Sequence, residues 1–306
     1  DQFVIFKTGP IEALKKAIHQ TTFLGYEASE AEVEFKGIVA QDHLCDELTE
    51  VGHAQPVTVV LDRSPFYGES GGQVGDSGEI VGPGFRFRVI DTQKDGDLFL
   101  HVGHLVEGQL RAGAKATARV DAGRRQGIRR AHSATHILHY ALQKNVGPHA
   151  QQQGSKVDED WLRFDFANLS PLTPEQVAAV ERDVQAQVAA GAAVKWKYVP
   201  LADARKAGAM MLFGEKYPDP VRMVSMGDFS RELCGGTHLE NTQEVGAFEV
   251  VTEEGVAAGT RRIVALTGVK AEEHGRQVRE ALRQSATRLG CAQLDVPATV
   301  KSLVQH

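Results

Sequence analysis

Only three cysteines occur in 306 residues, Cys45, Cys234 and Cys291, far apart and with no Cys-x-x-Cys pair. That scarcity excludes a disulfide framework and a four-cysteine zinc knuckle, and it fits a reducing compartment such as the cytoplasm. No apolar run approaches the roughly 18 residues that cross a bilayer, so no membrane partner is expected. The N-terminal stretch lacks the basic head and apolar body of a signal peptide. It opens on Asp1 rather than Met, as expected of a piece of a longer protein. Positive charge is not in excess either: the net charge is −6, which argues against wholesale wrapping by nucleic acid. A local basic patch stays open, because phosphates respond to the nearby surface more than to the total. What is present, 42% hydrophobic and 24% charged residues, is the composition of a soluble globular chain long enough for two domains.

The pattern along the chain predicts an α+β protein. An amphipathic segment at 10–20 reads as a helix, and 1–24 as a helical remnant of a preceding domain. Short β-rich runs with glycine punctuation then predict a β-barrel-like domain over 25–121. After Asp121 the period changes. Residues 129–146 read as a helix ending at Gly147-Pro148, and Thr173-Pro174 caps a second helix with Val177, Val180, Val184 and Val188 as its inner stripe. Strands expected near 161–169, 193–200, 220–226, 245–252 and 260–267 make 122–268 a mixed α/β domain with an antiparallel sheet. A charged C-terminal helix, within a linker at 269–306, closes the chain.

Near the end of that domain, "SRELCGGTHLENT" (230–242) sets Cys234 and His238 four residues apart. Among twelve histidines, "HSATH" places His132 and His136 at i and i+4 of the predicted helix. That spacing puts both rings on one face, with Cβ atoms about 6 Å apart. His139, one turn on, is a competitor for either position. His101 and His104, at i and i+3 of a predicted strand, point to opposite faces and are discounted as a joint site. Two His and Cys pairs about 100 residues apart give a tetrahedral N₃S set of the kind zinc prefers. Met210, Met211, Met223 and Met226 read as core filler rather than as metal ligands.

Four stretches together resemble the editing domain of alanyl-tRNA synthetases. They are "LDRSPFYGESGGQVGDSG" (61–78), "RRAHSATHILHYALQ" (129–143), "QQGSKVDEDWLRFDF" (152–166), and "CGGTHLENTQEVGAFEV" with "GTRRIVALTG" (234–250, 259–268). Stand-alone alanyl-tRNA editing proteins and threonyl-tRNA synthetase share the two ligand motifs. The resemblance implies hydrolysis of tRNA(Ala) carrying serine or glycine. One small group changes binding by only about 1–3 kcal/mol, so a second, hydrolytic sieve is needed. It implies Zn²⁺ held by His132, His136, Cys234 and His238, an active-site glutamine at Gln152, a substrate-end arginine at Arg261, and Ser64 as a hydroxyl for the serine side chain. Gly235 and Gly236 would open the turn to the ester, with backbone amides for the water or oxyanion.

Two partners follow from the resemblance: the acceptor end of tRNA(Ala) and the remaining domains of the synthetase. Arg124, Arg125, Arg129 and Arg130, four arginines within seven residues at the start of the ligand-bearing helix, are candidates for phosphate contact. A solvated helix start is the plain alternative. No stretch resembles a class II aminoacylation core, so no aminoacylation is expected. The alternatives are a stand-alone trans-editing deacylase, an RNA-binding module with a purely structural zinc, and, more remotely, a zinc peptidase, which would need a general-base glutamate beside the helical histidines.

Overall fold

The computed structural model describes residues 9–52, 54–212 and 214–305. Residues 1–8 of the expected N-terminal helical segment lie outside the described residues. Helix α1 (Pro10–Ile18) begins on proline and turns Ile11 and Leu14 inward.

Six strands then close into a barrel: β1 (Glu30–Ala40), β2 (Val57–Leu61), β3 (Gly78–Gly82), β4 (Phe85–Asp95), β5 (Leu98–Gly108) and β6 (Lys115–Val120). All pairings in it are antiparallel, in the order β6-β3-β4-β5-β2-β1, and β6 pairs back onto β1. Period-2 alternation is the cause. Along β4, Phe85, Phe87 and Val89 are buried, while Arg86 and Arg88 face out. The inward set fills one apolar core with Phe35, Ile38, Val59, Leu61 and Ile80. The alternate residues Val39, Val60, Leu98 and Leu100 pack against α1. Each fully buried side chain of this size contributes about 1.5–3 kcal/mol.

Helix α2 (Ala122–Asn145) follows at once, seven residues earlier than the periodicity placed it. Asp121 caps it, its Oδ1 accepting from Arg124 N at 3.0 Å. The arginine cluster therefore sits inside the first turns of the helix. Strands β7 (Gln152–Asp158) and β8 (Trp161–Ala167) come next, then α3 (Pro174–Ala190). Thr173 and Gln176 form a reciprocal capping box at its start, and Gly191 ends it at φ 63°. Val180, Val184 and Val188 are buried and Val177 partly so.

Strand β9 (Val194–Val199), short helix α4 (Leu201–Lys206), β10 (Val221–Met226) and β11 (Ser230–Leu233) lead to β12 (Phe248–Ala257) and β13 (Thr260–Thr267). The sheet β7-β8-β13-β12 and the sheet β9-β10-β11 are both antiparallel. With α2 and α3 they enclose a second, separate apolar core. Helix α5 (Gly268–Leu289) buries only Ala271 and Ala286, and α6 (Val296–Val304) buries none of its residues. The architecture is thus α+β: a closed barrel, a mixed domain of antiparallel sheets, and a C-terminal helix. No described helix is long and apolar enough to cross a membrane.

The two cores are joined by Arg125, which reaches from α2 into the barrel. It is 2% exposed and pairs with Asp76, with Nε 2.9 Å from Oδ2. Its two Nη groups donate to the carbonyls of Gly25, Ala28 and Pro65. A buried charge survives only when paired and fully hydrogen-bonded, and Arg125 is both.

Candidate metal centre

His132 and His136 lie on the buried face of α2, and Cys234 and His238 on the turn after β11. One ligand atom from each of the four lies within 4.8 Å of all the others. Cys234 Sγ is 3.4 Å from His132 Nε2 and 3.4 Å from His238 Nε2. The second nitrogen of each ring has its own surroundings. His132 Nδ1 meets Gln73 Oε1 at 2.7 Å, and His238 Nδ1 is 3.1 Å from Ser133 Oγ. His136 Nε2 faces Glu232 Oε2 at 3.4 Å, and its Nδ1 is buried without a hydrogen-bond partner.

Burial holds the His132, His136 and His238 imidazoles below their usual range, keeping them in the neutral form that binds metals. Burial also pushes the Cys234 thiol up to about 11, a state that a coordinated cation reverses by stabilising the thiolate. Three neutral imidazoles and one thiol, with an orphaned buried nitrogen among them, fit a zinc ion.

The turn is clamped from outside by Arg222 of β10. Its Nη1 donates to Cys234 O at 2.9 Å and to Gly236 O at 2.8 Å. Its guanidinium lies 3.9 Å from the ring centre of Tyr26 and 4.7 Å from that of Trp196. The Tyr26 hydroxyl donates to Gly235 O. The cluster opens onto a cavity of about 740 Å³, whose lining includes His132, His136, Cys234, Tyr67 and Arg222.

The sequence-derived site residues scatter. Gln152 lines this cavity, half-buried, its Nε2 donating to Ser155 Oγ at 2.8 Å. Gln151 and Gln153 line it too and are exposed. Gly235 is exposed and open, whereas a Cβ on Gly236 would stand 2.0 Å from His132 Cε1. Gly236 is therefore glycine to admit a ligand ring, not to admit an ester. Its N–H points at Cys234 Sγ, 3.4 Å away, which removes it as an oxyanion donor.

Ser64 is fully buried, bonded to His101 Nε2 at 2.7 Å and accepting from Phe66 N at 3.0 Å, away from the cavity lining. It is a turn hydroxyl and cannot reach a serine ligand there. Arg125 is sealed from any phosphate. Arg130 is bidentate to Asp160, Nε to Oδ1 at 2.7 Å and Nη2 to Oδ2 at 2.8 Å. Arg124 donates to Gly75 O and faces Asp158. Of these four, Arg129 alone has no ion pair among the described residues. Arg261 is bidentate to Glu253 across the β12–β13 hairpin and does not line the cavity.

His139 is no competitor for the metal: its Nδ1 is 2.8 Å from Glu232 Oε1. Met223 and Met226 are core residues, but Met210 and Met211 line the cavity. Sequence reasoning missed Gln73, Arg222 and Glu232 altogether. Only the last, two residues before Cys234, carried a local signal, as an acid at strand spacing beside a ligand.

Comparison with known proteins resolves the family. The chain is 53% identical to the alanine–tRNA ligase of Rhodopirellula baltica, over 100% of this chain and 33% of that protein. The corresponding figures for the alanine–tRNA ligase of Acetivibrio thermocellus are 45%, 94% and 32%. The chain belongs to the alanine–tRNA ligase family. It spans about a third of the length of these relatives. A family model described as threonyl and alanyl tRNA synthetase second additional domain matches 221–264, the stretch with Cys234, His238 and Arg261. A second, described as tRNA synthetases class II (A), matches 6–124. The match falls on α1, the barrel and the start of α2.

Proposed function

We infer that this chain hydrolyses the ester of tRNA(Ala) carrying serine or glycine, at a zinc site formed by His132, His136, Cys234 and His238. The observation that carries this reading is the opening of the ligand cluster onto the same cavity as Gln152. Three of the four ligands, His132, His136 and Cys234, line it, and about 740 Å³ is ample for an aminoacyl ester. The relatives' names supply the tRNA and the amino acid at issue, and the sieve argument supplies the need.

A bound zinc ion would act there as a Lewis acid toward the aminoacyl group. The chain's own residues supply the rest. Gln152 Nε2 donates to Ser155 Oγ, and its carbonyl oxygen can accept from a donor such as water or the substrate amine. The Gly235 N–H has no acceptor among the described residues and can meet a developing oxyanion. Arg222 and Tyr26 hold the carbonyls of Cys234, Gly235 and Gly236, so the turn is fixed before substrate arrives. Lys94 and Lys216, on the cavity wall, carry positive charge toward the acceptor-end phosphates. The remaining domains of a full-length synthetase would present the tRNA, in the cytoplasm.

A second reading, a purely structural zinc, draws on the closed set of four protein ligands. One assay separates the two. Cys234→Ala and Gln152→Leu are each expected to slow deacylation of Ser-tRNA(Ala) by at least about tenfold. Wild-type rates in both would sink the editing reading and leave the structural one.

A further inference from the structure

The geometry points to Gln73, a barrel residue, as the positioning residue of the metal centre: its carboxamide holds His132 in the tautomer that leaves Nε2 free to bind a metal. The inference rests on the reading that the four side chains hold a metal. Gln73 lies in the turn between β2 and β3 and is fully buried. Its backbone is fixed twice over. Gln73 N donates to Ser70 O at 3.0 Å and Ser70 N to Gln73 O at 3.2 Å. The next residue, Val74, donates to Val157 O of β7 at 3.1 Å, and Val157 N donates to Gly72 O at 2.8 Å. A Cβ on Gly72, whose φ is +85°, would lie 2.5 Å from Ser155 O, so this turn and β7 touch backbone to backbone.

The side chain then reaches across to the ligand turn. Thr237 N lies 2.9 Å from Gln73 Oε1, and Gln73 Nε2 lies 2.8 Å from Thr237 Oγ1. A backbone N–H can only donate, so the atom it meets is the carbonyl oxygen of the amide. His132 Nδ1, 2.7 Å from that same oxygen, must then carry its proton and donate it. The lone pair is left on Nε2, the nitrogen that faces Cys234 Sγ at 3.4 Å. No slack remains: a Cβ on Gly236 would be 2.7 Å from Gln73 Oε1 and 2.4 Å from His132 Nδ1.

The metal centre is therefore assembled from both cores. All four ligands come from the second domain, and the group that fixes one of their tautomers comes from the barrel. By reciprocity, whatever metal binding gains from Gln73, docking of the barrel turn gains from the metal.

The test is zinc affinity of the whole chain, measured by competition with a chromogenic chelator, for wild type, Gln73→Leu and Gln73→Glu. Gln73→Leu removes the acceptor at similar size and is expected to weaken zinc binding about 10–100-fold. Gln73→Glu keeps an oxygen for His132 Nδ1–H and for Thr237 N–H, and is expected to stay within about threefold of wild type. A folded Gln73→Leu with wild-type affinity overturns the inference, as does a Gln73→Glu that falls as far as the leucine variant. Where Gln73→Leu fails to fold, hydrogen exchange of wild type decides. Zinc should slow exchange at the Val74 and Val157 amides, and no slowing overturns the inference. A wild-type chain that binds no zinc at all defeats the metal reading itself, an outcome distinct from the others.

Discussion

The two domains both bury histidines, and they use them differently. In the barrel, His101 is wholly enclosed and both its nitrogens are engaged, Nε2 with Ser64 Oγ at 2.7 Å and Nδ1 with Val59 O at 3.0 Å. In the second domain, His132 and His238 each have one nitrogen held by a protein oxygen and the other turned toward Cys234. His136 keeps one buried nitrogen with no partner. A structural histidine is recognised by having nothing left to bond. A ligand histidine is recognised by the one nitrogen that its neighbours leave alone, with the others aimed at the same point.

The sharpest break of that comparison is steric. Gly236→Ala would drive a methyl into the His132 ring, and zinc affinity is expected to fall on the order of a hundredfold. Gly235→Ala, with only the Tyr26 hydroxyl near, 3.8 Å away, should leave zinc affinity within about twofold. Equal losses in the two would show that the turn, not the ring contact, sets affinity.

The barrel histidine answers to pH. Burial lowers His101 to about 4, so its neutral form is the folded one. Its contribution is present above the unfolded value near 6.5 and is lost as pH falls toward 4. Denaturant unfolding should lose about 2 kcal/mol from this group between pH 7 and pH 5. His101→Gln, compared with wild type, isolates that share; identical pH slopes in the two would contradict it. The smallest effect belongs to Arg261. Paired with Glu253 and absent from the cavity wall, it can become Gln with deacylation of Ser-tRNA(Ala) changed by less than about twofold. A tenfold loss would return it to the substrate.

Particular residues show how far the sequence could be read. His132 and His136 were legible because helical spacing alone sets two rings on one face, and Cys234 with His238 because few residue types share that chemistry. The barrel was legible from alternation, and the fold class with it, though β7 was missed, lacking any clear apolar alternation in "QQGSKVD". The arginines misled for a physical reason. Charge clustering is local, but neutralisation is not: Asp76 and Asp160 reach Arg125 and Arg130 only through the fold. Gln73 was invisible as a positioning group because its partners His132 and Thr237 lie 59 and 164 residues away.

The central claim is that a zinc-holding cluster in the second domain, with one ligand positioned from the barrel, does the hydrolysis. Its most direct test follows release of serine from Ser-tRNA(Ala) by this chain after chelation, and again after zinc is restored, with Ala-tRNA(Ala) alongside. The account predicts loss of serine release on chelation, recovery with zinc, and Ala-tRNA(Ala) left largely intact throughout. Undiminished serine release from a chain shown to be metal-free would contradict it.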